Sequence, residues 1–262
     1  MSLTGKTKAS SYKDLLIVPN SNNGIDSTTR NITSGEGTAS ALNLSDDVVL
    51  ISPNNDDTTA VFKATDKDSN ALLTVDSSND LVKAGIGQHI VNTNIKEFAM
   101  DFTEQSPDTA DTWHALTSTY NHSDTNELEM GTGSTPATTL TIANTANITV
   151  KHYWYVPFNI TIDSCNVWFG ADAASGDVVK FSVMSYTVDT ANGSTSGDLS
   201  SGVENCASPS TVTGAGREQA YYQALTVSTA DVDAGKVIMA CVAQDGDNAD
   251  LSVNMQLVYH LR

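Results

Sequence analysis

The chain has 262 residues and a formal net charge of −18, with 31 Asp and Glu against 13 Lys and Arg. Such an excess of negative charge, with no Lys/Arg cluster, excludes a nucleic-acid backbone as partner, because binding there needs cations that displace counterions. Asp outnumbers Glu 24 to 7, beside 32 Thr, 28 Ser and 21 Asn. Asp, Asn and Ser make turns, Glu favours helices and Thr suits strands, so the composition indicates a loop-rich β protein and not a helical bundle.

Residues 1–24 read as an extended, polar arm with one apolar segment, Leu15-Leu16-Ile17-Val18. That segment is far short of the roughly 20 residues a membrane span requires. No charged-then-apolar stretch reads as a signal peptide, and membrane insertion is not expected. Lys6, Lys8, Lys13 and Arg30 make this end basic against an acidic body. An arm of that kind either docks on another surface or frays.

Residues 25–85 alternate short apolar runs with Asp/Asn/Ser turns. The runs are 41–44, 48–51, 60–62, 72–75 and 81–82. Ala41-Leu42 followed by Asp46-Asp47 is echoed by Ala71-Leu72 followed by Asp76, which suggests a repeated strand–turn unit. Strands carrying so few large apolar residues bury little as one chain, and small single sheets are marginal in water. Three chains around a shared axis would bury Leu42, Leu44, Val61, Phe62, Leu72 and Val75 against each other and cover the sheet edges. This is the physical reason to expect a trimeric shaft.

Residues 86–147 form a transition region with Phe98, Phe102 and Trp113, then a Thr-rich stretch expected to be loops and edge strands. From 148 to 262 the pattern sharpens into strands at 150–156, 160–169, 178–188, 221–227, 236–244 and 251–260. In the last, Leu251, Val253, Met255, Leu257 and Tyr259 alternate with Ser252, Asn254, Gln256 and His260, the period of a half-buried antiparallel strand. Regular strands with Gly/Ser/Asp turns predict an antiparallel β-sandwich, jelly-roll-like, as the C-terminal head. The segments 170–177 and 192–216 are expected to project as loops. Asp172, Ser175, Asn192, Ser194 and Asp198 are the candidate ligand-contacting residues on them.

Motifs for chemistry are sparse. The Asp residues stand beside Asn, Ser or Gly, where turns explain them. No convergent acid pair, nucleophile motif or phosphate loop is legible, so no enzyme and no cofactor are expected. Cys165, Cys206 and Cys241 lack metal spacing and read as buried thiols. Asp66-Lys67-Asp68-Ser69-Asn70 opens like a calcium loop, but Ala71 and Ser77 stand where the Gly and the bidentate Glu belong. A solvated turn is the simpler reading. The pairs Trp168-Phe169 and Tyr221-Tyr222, and the run Tyr153-Trp154-Tyr155, put some rings inward and others outward. These runs serve the core or a subunit interface first, and a sugar platform as the alternative.

The segments Gly5-Lys6-Thr7, Tyr12-Lys13-Asp14-Leu15-Leu16 and Asn20-Ser21-Asn22-Asn23-Gly24-Ile25 resemble the leader of virion-attached fibre and decoration proteins of tailed bacteriophages, marine ones especially. Residues 41–47 and 72–77 look like the shaft repeats of such fibres, and 186–199 and 231–239 like their β-sandwich heads. The resemblance implies a homotrimer located in the virion. Its arm (Tyr12, Leu15, Leu16, Ile17 and Val18) would anchor on capsid, neck or tail proteins, with the head outward. The alternative expectation is a tail fibre or spike whose head loops bind a host glycan or protein.

Overall fold

The computed structural model describes residues 15–21, 23–85, 87–91, 93–102, 112–118, 127–143, 145, 149–172, 178–209, 218–244 and 251–262. Tyr12 and Ser175 lie outside the described residues. Among the described residues the ordered elements are strands, and every strand pairing is antiparallel. The chain divides into two units, Met1–Asn92 and Thr93–Arg262.

The first unit holds two four-stranded meanders. Sheet 1 contains β1 (Leu16–Ile17), β2 (Arg30–Ser34), β3 (Ala39–Leu44) and β4 (Val49–Ile51); sheet 2 contains β5 (Phe62–Thr65), β6 (Ala71–Asp76), β7 (Leu81–Ala84) and β8 (His89–Ile90). Both sheets run in chain order, so the echo between residues 41–47 and 71–76 corresponds to β3 and β6, each an inner strand of its own meander. Their turns are closed by the acidic and amide side chains. Asp66 Oδ1 accepts from the backbone N–H of Asp68 and Asn70, both at 2.9 Å, which makes the calcium-like segment the β5–β6 turn. At the entrance to sheet 1, hydrogen bonds from the Arg30 guanidinium and the Thr28 N–H hold Asp26 down at about 2, well below the usual carboxylate range.

What this unit lacks is an apolar interior. Among its described residues Ile32 is the one buried apolar side chain, while Asp76 and Thr74 are buried polar ones. Asp76 accepts from the Asn79 side chain and its Oδ2 also meets Lys83 Nζ at 3.0 Å, and these bonds, Asn79 first, keep the carboxyl below its ordinary value. Buried polar groups persist only when paired in this way.

The second unit begins earlier than the pattern of residues 148–262 suggested. Residues 93–147 were expected as a transition, yet β9 (Thr93–Phe102), β10 (Thr112–Ala115) and β11 (Glu129–Thr132) belong to it and supply Phe98, Met100, Phe102, Trp113 and Met130 to its core. They do lie at the sheet margins. The remaining strands are β12 (Tyr153–Tyr155), β13 (Ile160–Asp172), β14 (Val179–Val188), β15 (Leu199–Ala207), β16 (Glu218–Val227), β17 (Asp231–Val232), β18 (Lys236–Gln244) and β19 (Leu251–Leu261).

These strands form two layers. Sheet 3 has the order β16-β13-β19-β9, with β17 also on β13; sheet 4 has the order β11-β10-β18-β14-β15, with β12 also on β18. The layers join at one corner through Cys206–Val227 and Ala207–Thr226, where β15 meets β16. Between them lies the main core: Phe169, Met255 and Phe98 from sheet 3 pack with Phe181, Ile238 and Val242 from sheet 4. This is a β-sandwich-like arrangement. Cys165, Cys206 and Cys241 are buried free thiols, and the hydrogen bond with Cys206, with burial, holds the Cys165 thiol well above its ordinary range.

Sheet 4 is covered on its other face as well, so β18 is buried along nearly its whole length rather than alternating. Trp113, Met184, Tyr186, Met239 and Cys241 point there. Residues 133–142 lie over them, laced by Trp113 Nε1–H to Gly133 O (3.1 Å), Tyr186 O–H to Ala137 O (2.8 Å) and Gly202 N–H to Thr138 O (2.9 Å). A Cβ on Gly202 would stand 2.6 Å from Tyr186 Cε1 and 2.8 Å from Thr138 Cα. Gly202→Val therefore lifts the strap off the sheet, an overpacking cost of about 1–3 kcal/mol, read as an earlier denaturation midpoint of the second unit.

Candidate functional site

The six residues expected to line a shaft are placed by strand register. In sheet 2 the row Phe62–Val75–Val82 runs across β5, β6 and β7, next to the row Ala64–Leu73–Ala84. These positions alternate along each strand and so share one face. In sheet 1, Leu42 pairs with Ile51 and Leu44 with Val49. Two of the expected residues fall outside these rows. Val61 precedes β5, and Leu72 is the unpaired residue at the bulge where Thr65 meets Ala71 and Ala64 meets Leu73. Leu73 takes the place in the row that Leu72 was expected to fill.

None of these side chains is buried within the chain. Phe62 is 41% exposed and Val82 42%, and among the described residues eleven of the nineteen exposed large hydrophobics belong to the first unit. The sequence assigned residues 15–18 to an anchoring arm. In the structure Leu16 and Ile17 pair with Ser34 and Thr33 as the edge strand β1, with Leu16 71% exposed and Leu15 and Ile17 exposed too, while Val18 is half-buried.

The expected ligand loops are shorter than read. Residues 199–207, included in the projecting segment 192–216, form β15 and pair with β14. The Ser/Gly/Glu-rich composition of β15 and its register shifts against β14 erased the alternation that would have announced it. Residues 173–177 and 210–216 of the expected loops lie outside the described residues, and the described remainder is chiefly the β14–β15 turn at 189–198, where Asn192 and Ser194 are exposed. Asp198 is half-buried and accepts the Ile142 N–H at 2.8 Å, so it fastens the strap rather than facing solvent. Asp189 organises the turn, accepting from Thr195 Oγ1 at 2.7 Å. Asp172 is the last residue of β13.

A different surface of the second unit brings chemistry together. On the outer face of sheet 3, register aligns Tyr222, Trp168, Asn254 and Ala99 in one row. The flanking rows are Ala224, Asn166, Gln256, Glu97 and Ala220, Gly170, Ser252, Asp101. Trp168 and Tyr222 are each 55% exposed, with ring centroids 5.2 Å apart at 52°. Tyr222 O–H donates to Asn166 Oδ1 at 2.9 Å, and Gln256 Nε2–H to Glu97 Oε1 at 3.2 Å, so that side of the grid is tied down. On the other side the residues are small, and a shallow cavity of about 420 Å³ opens between Trp168, Asn254, Asp101, Ser252, Gly170 and Ala220. The sequence marked the Trp168 and Tyr222 runs; Asp101, Asn254 and Ser252 became visible only through the pairing of β19 with β9 and β13.

Compared with family models, curated proteins and solved structures, the chain matches none. Among the described residues no group of three or more His, Cys, Asp or Glu is placed to hold a metal ion, and no helix is long and apolar enough to cross a membrane.

Proposed function

We propose that the chain is a non-enzymatic structural protein of a bacteriophage particle, a homotrimeric short fibre or decoration protein. In this reading the first unit assembles with two further copies as a shaft fixed to the particle at its N-terminal end. The second unit is the outward head.

One observation carries the assembly: the first unit has two ordered meanders but a single buried apolar side chain among its described residues, against thirty-five in the second unit. Apolar rows such as Phe62–Val75–Val82 are arranged on one sheet face yet left half in water. A sheet of four short strands does not sustain itself that way. Burial of those rows against identical rows supplies the missing apolar contact, and burial of a Val or Phe side chain is worth about 1.5–3 kcal/mol each. The assignment to a virion rests on the resemblance of residues 5–25, 41–47 and 72–77 to phage fibre proteins.

Sedimentation equilibrium or mass photometry of the full chain is expected to report three copies of the 27.7 kDa subunit. A folded monomer whose first unit shows a cooperative melt overturns the proposal.

A further inference from the structure

The cavity on the outer face of sheet 3 does not arise from a loop. It is built by residue choice at paired strand positions. Trp168 would ordinarily be screened by side chains diagonal to it and along its own strand, since neighbours at those distances reach an aromatic ring. On one side those positions carry Gly170, Ala220 and Ser252, and beyond Asn254 the row ends in the small Ala99. One flank of the indole is therefore bare, while Tyr222, held by Asn166, supports the other. Along the bare flank stand Asn254 and Asp101, both exposed. An apolar floor, one aromatic wall and a few convergent polar groups are the ingredients of a small-molecule site, and about 420 Å³ falls within the roughly 300–1,000 Å³ typical of one.

We infer that this trough binds a neutral pyranose unit of a glycan, with Trp168 as the stacking platform and Asp101 and Asn254 as hydrogen-bonding groups for its hydroxyls. A pyranose ring has a face of C–H groups with a weakly positive surface and an edge of hydroxyls. The negative face of an indole complements the first, and a carboxylate and a primary amide complement the second. Charge decides the kind of sugar. Asp101 and Glu97 stand on the same strand at the rim, and the body carries −18, so sialylated, sulfated or phosphorylated units are repelled. The site lies wholly within sheet 3 and stands or falls separately from the trimeric shaft.

The test uses the full-length protein and four probes: maltohexaose, cellohexaose, mannohexaose and N-acetyl-chitohexaose, with sulfated and sialylated oligosaccharides in parallel. Trp168 is the exposed tryptophan, against 2% exposure for Trp113 and a core-packed Trp154, so its emission reports occupancy. At least one neutral probe is expected to give a saturable blue shift with a dissociation constant tighter than about 1 mM, and the acidic ones none. Trp168→Ala, which removes the reporter and is read with wild type by isothermal titration calorimetry, is expected to weaken that binding at least tenfold. Ser252→Leu, which fills the trough and leaves the indole in place, is expected to do the same with an unchanged circular dichroism spectrum. Three results each overturn the proposal: no shift with any neutral probe, binding that survives both substitutions, or shielding of Trp168 from acrylamide in the sugar-free protein. The last would make this face a contact between copies.

Discussion

In the proposed trimer, Phe62→Asp combined with Val82→Asp is expected to release single chains whose second unit melts as before. The two positions flank Val75 in one cross-strand row of sheet 2 and are 41% and 42% exposed in the isolated chain. On a monomer, two such surface substitutions change stability little. In a trimer the same pair removes six buried side chains, roughly 12 kcal/mol at about 2 kcal/mol each, and places carboxylates where no partner charge waits. The effect is therefore very large on one reading and close to nothing on the other. Mass photometry of wild type and variant at equal concentration distinguishes them, because an unchanged mass removes sheet 2 from any interface. The second unit has its own interior, with Phe169, Met255, Phe181 and Val242 fully enclosed, so its thermal transition serves as the internal control.

The same contrast explains what could be read from residues alone. Strands at 160–169, 178–188, 236–244 and 251–260 were legible because long apolar stretches between Gly/Asp turns leave little choice of structure, and β13, β14, β18 and β19 occupy nearly those positions. Two features escaped. β15 reads LSSGVENCA, which shows no period of two, and it forms because β14 supplies a partner edge and Gly202 admits the strap. β9 and β10 carried core aromatics but were separated from β19 and β18, which bring them into the sheets, by more than a hundred residues of chain, and the pairings Val253–Met100 and Ala115–Cys241 show where they belong. His260 keeps the face that alternation gives it, opposite Thr161, yet it is buried there, because the bulge at Asp163 brings a carboxylate to its Nδ1 at 2.9 Å. For the site, composition singled out rings, but a binding surface is a property of register. Trp168 becomes approachable because Gly170 follows it on β13 and because Ser252 and Ala220 oppose Gly170 from either side. A sequence gives no hint of that pairing before the partners are known.

Removal of residues 251–262 is expected to abolish folding of the second unit altogether. β19 is not a margin of its sheet: it pairs with β13 from Ile160 to Ala171 on one side and with β9 from Thr93 to Phe102 on the other. Without it both neighbours lose a hydrogen-bonded edge, and β9, held otherwise by the bridge of Ala99 with Thr117, loses the partner that sets Phe98, Met100 and Phe102 in the core. The strand also carries Leu251, Val253, Met255 and Leu257 into the inter-sheet core. Truncation of one such side chain to alanine, as in Met255→Ala, costs about 2–5 kcal/mol. Loss of all four, about 8–20 kcal/mol on that scale, is as large as the 5–15 kcal/mol by which a domain is ordinarily stable. The truncated chain should accumulate as insoluble protein, and Met255→Ala should remain soluble with a lowered denaturation midpoint. A soluble truncated chain that keeps a cooperative transition would show that sheet 3 closes without β19, by direct pairing of β9 with β13.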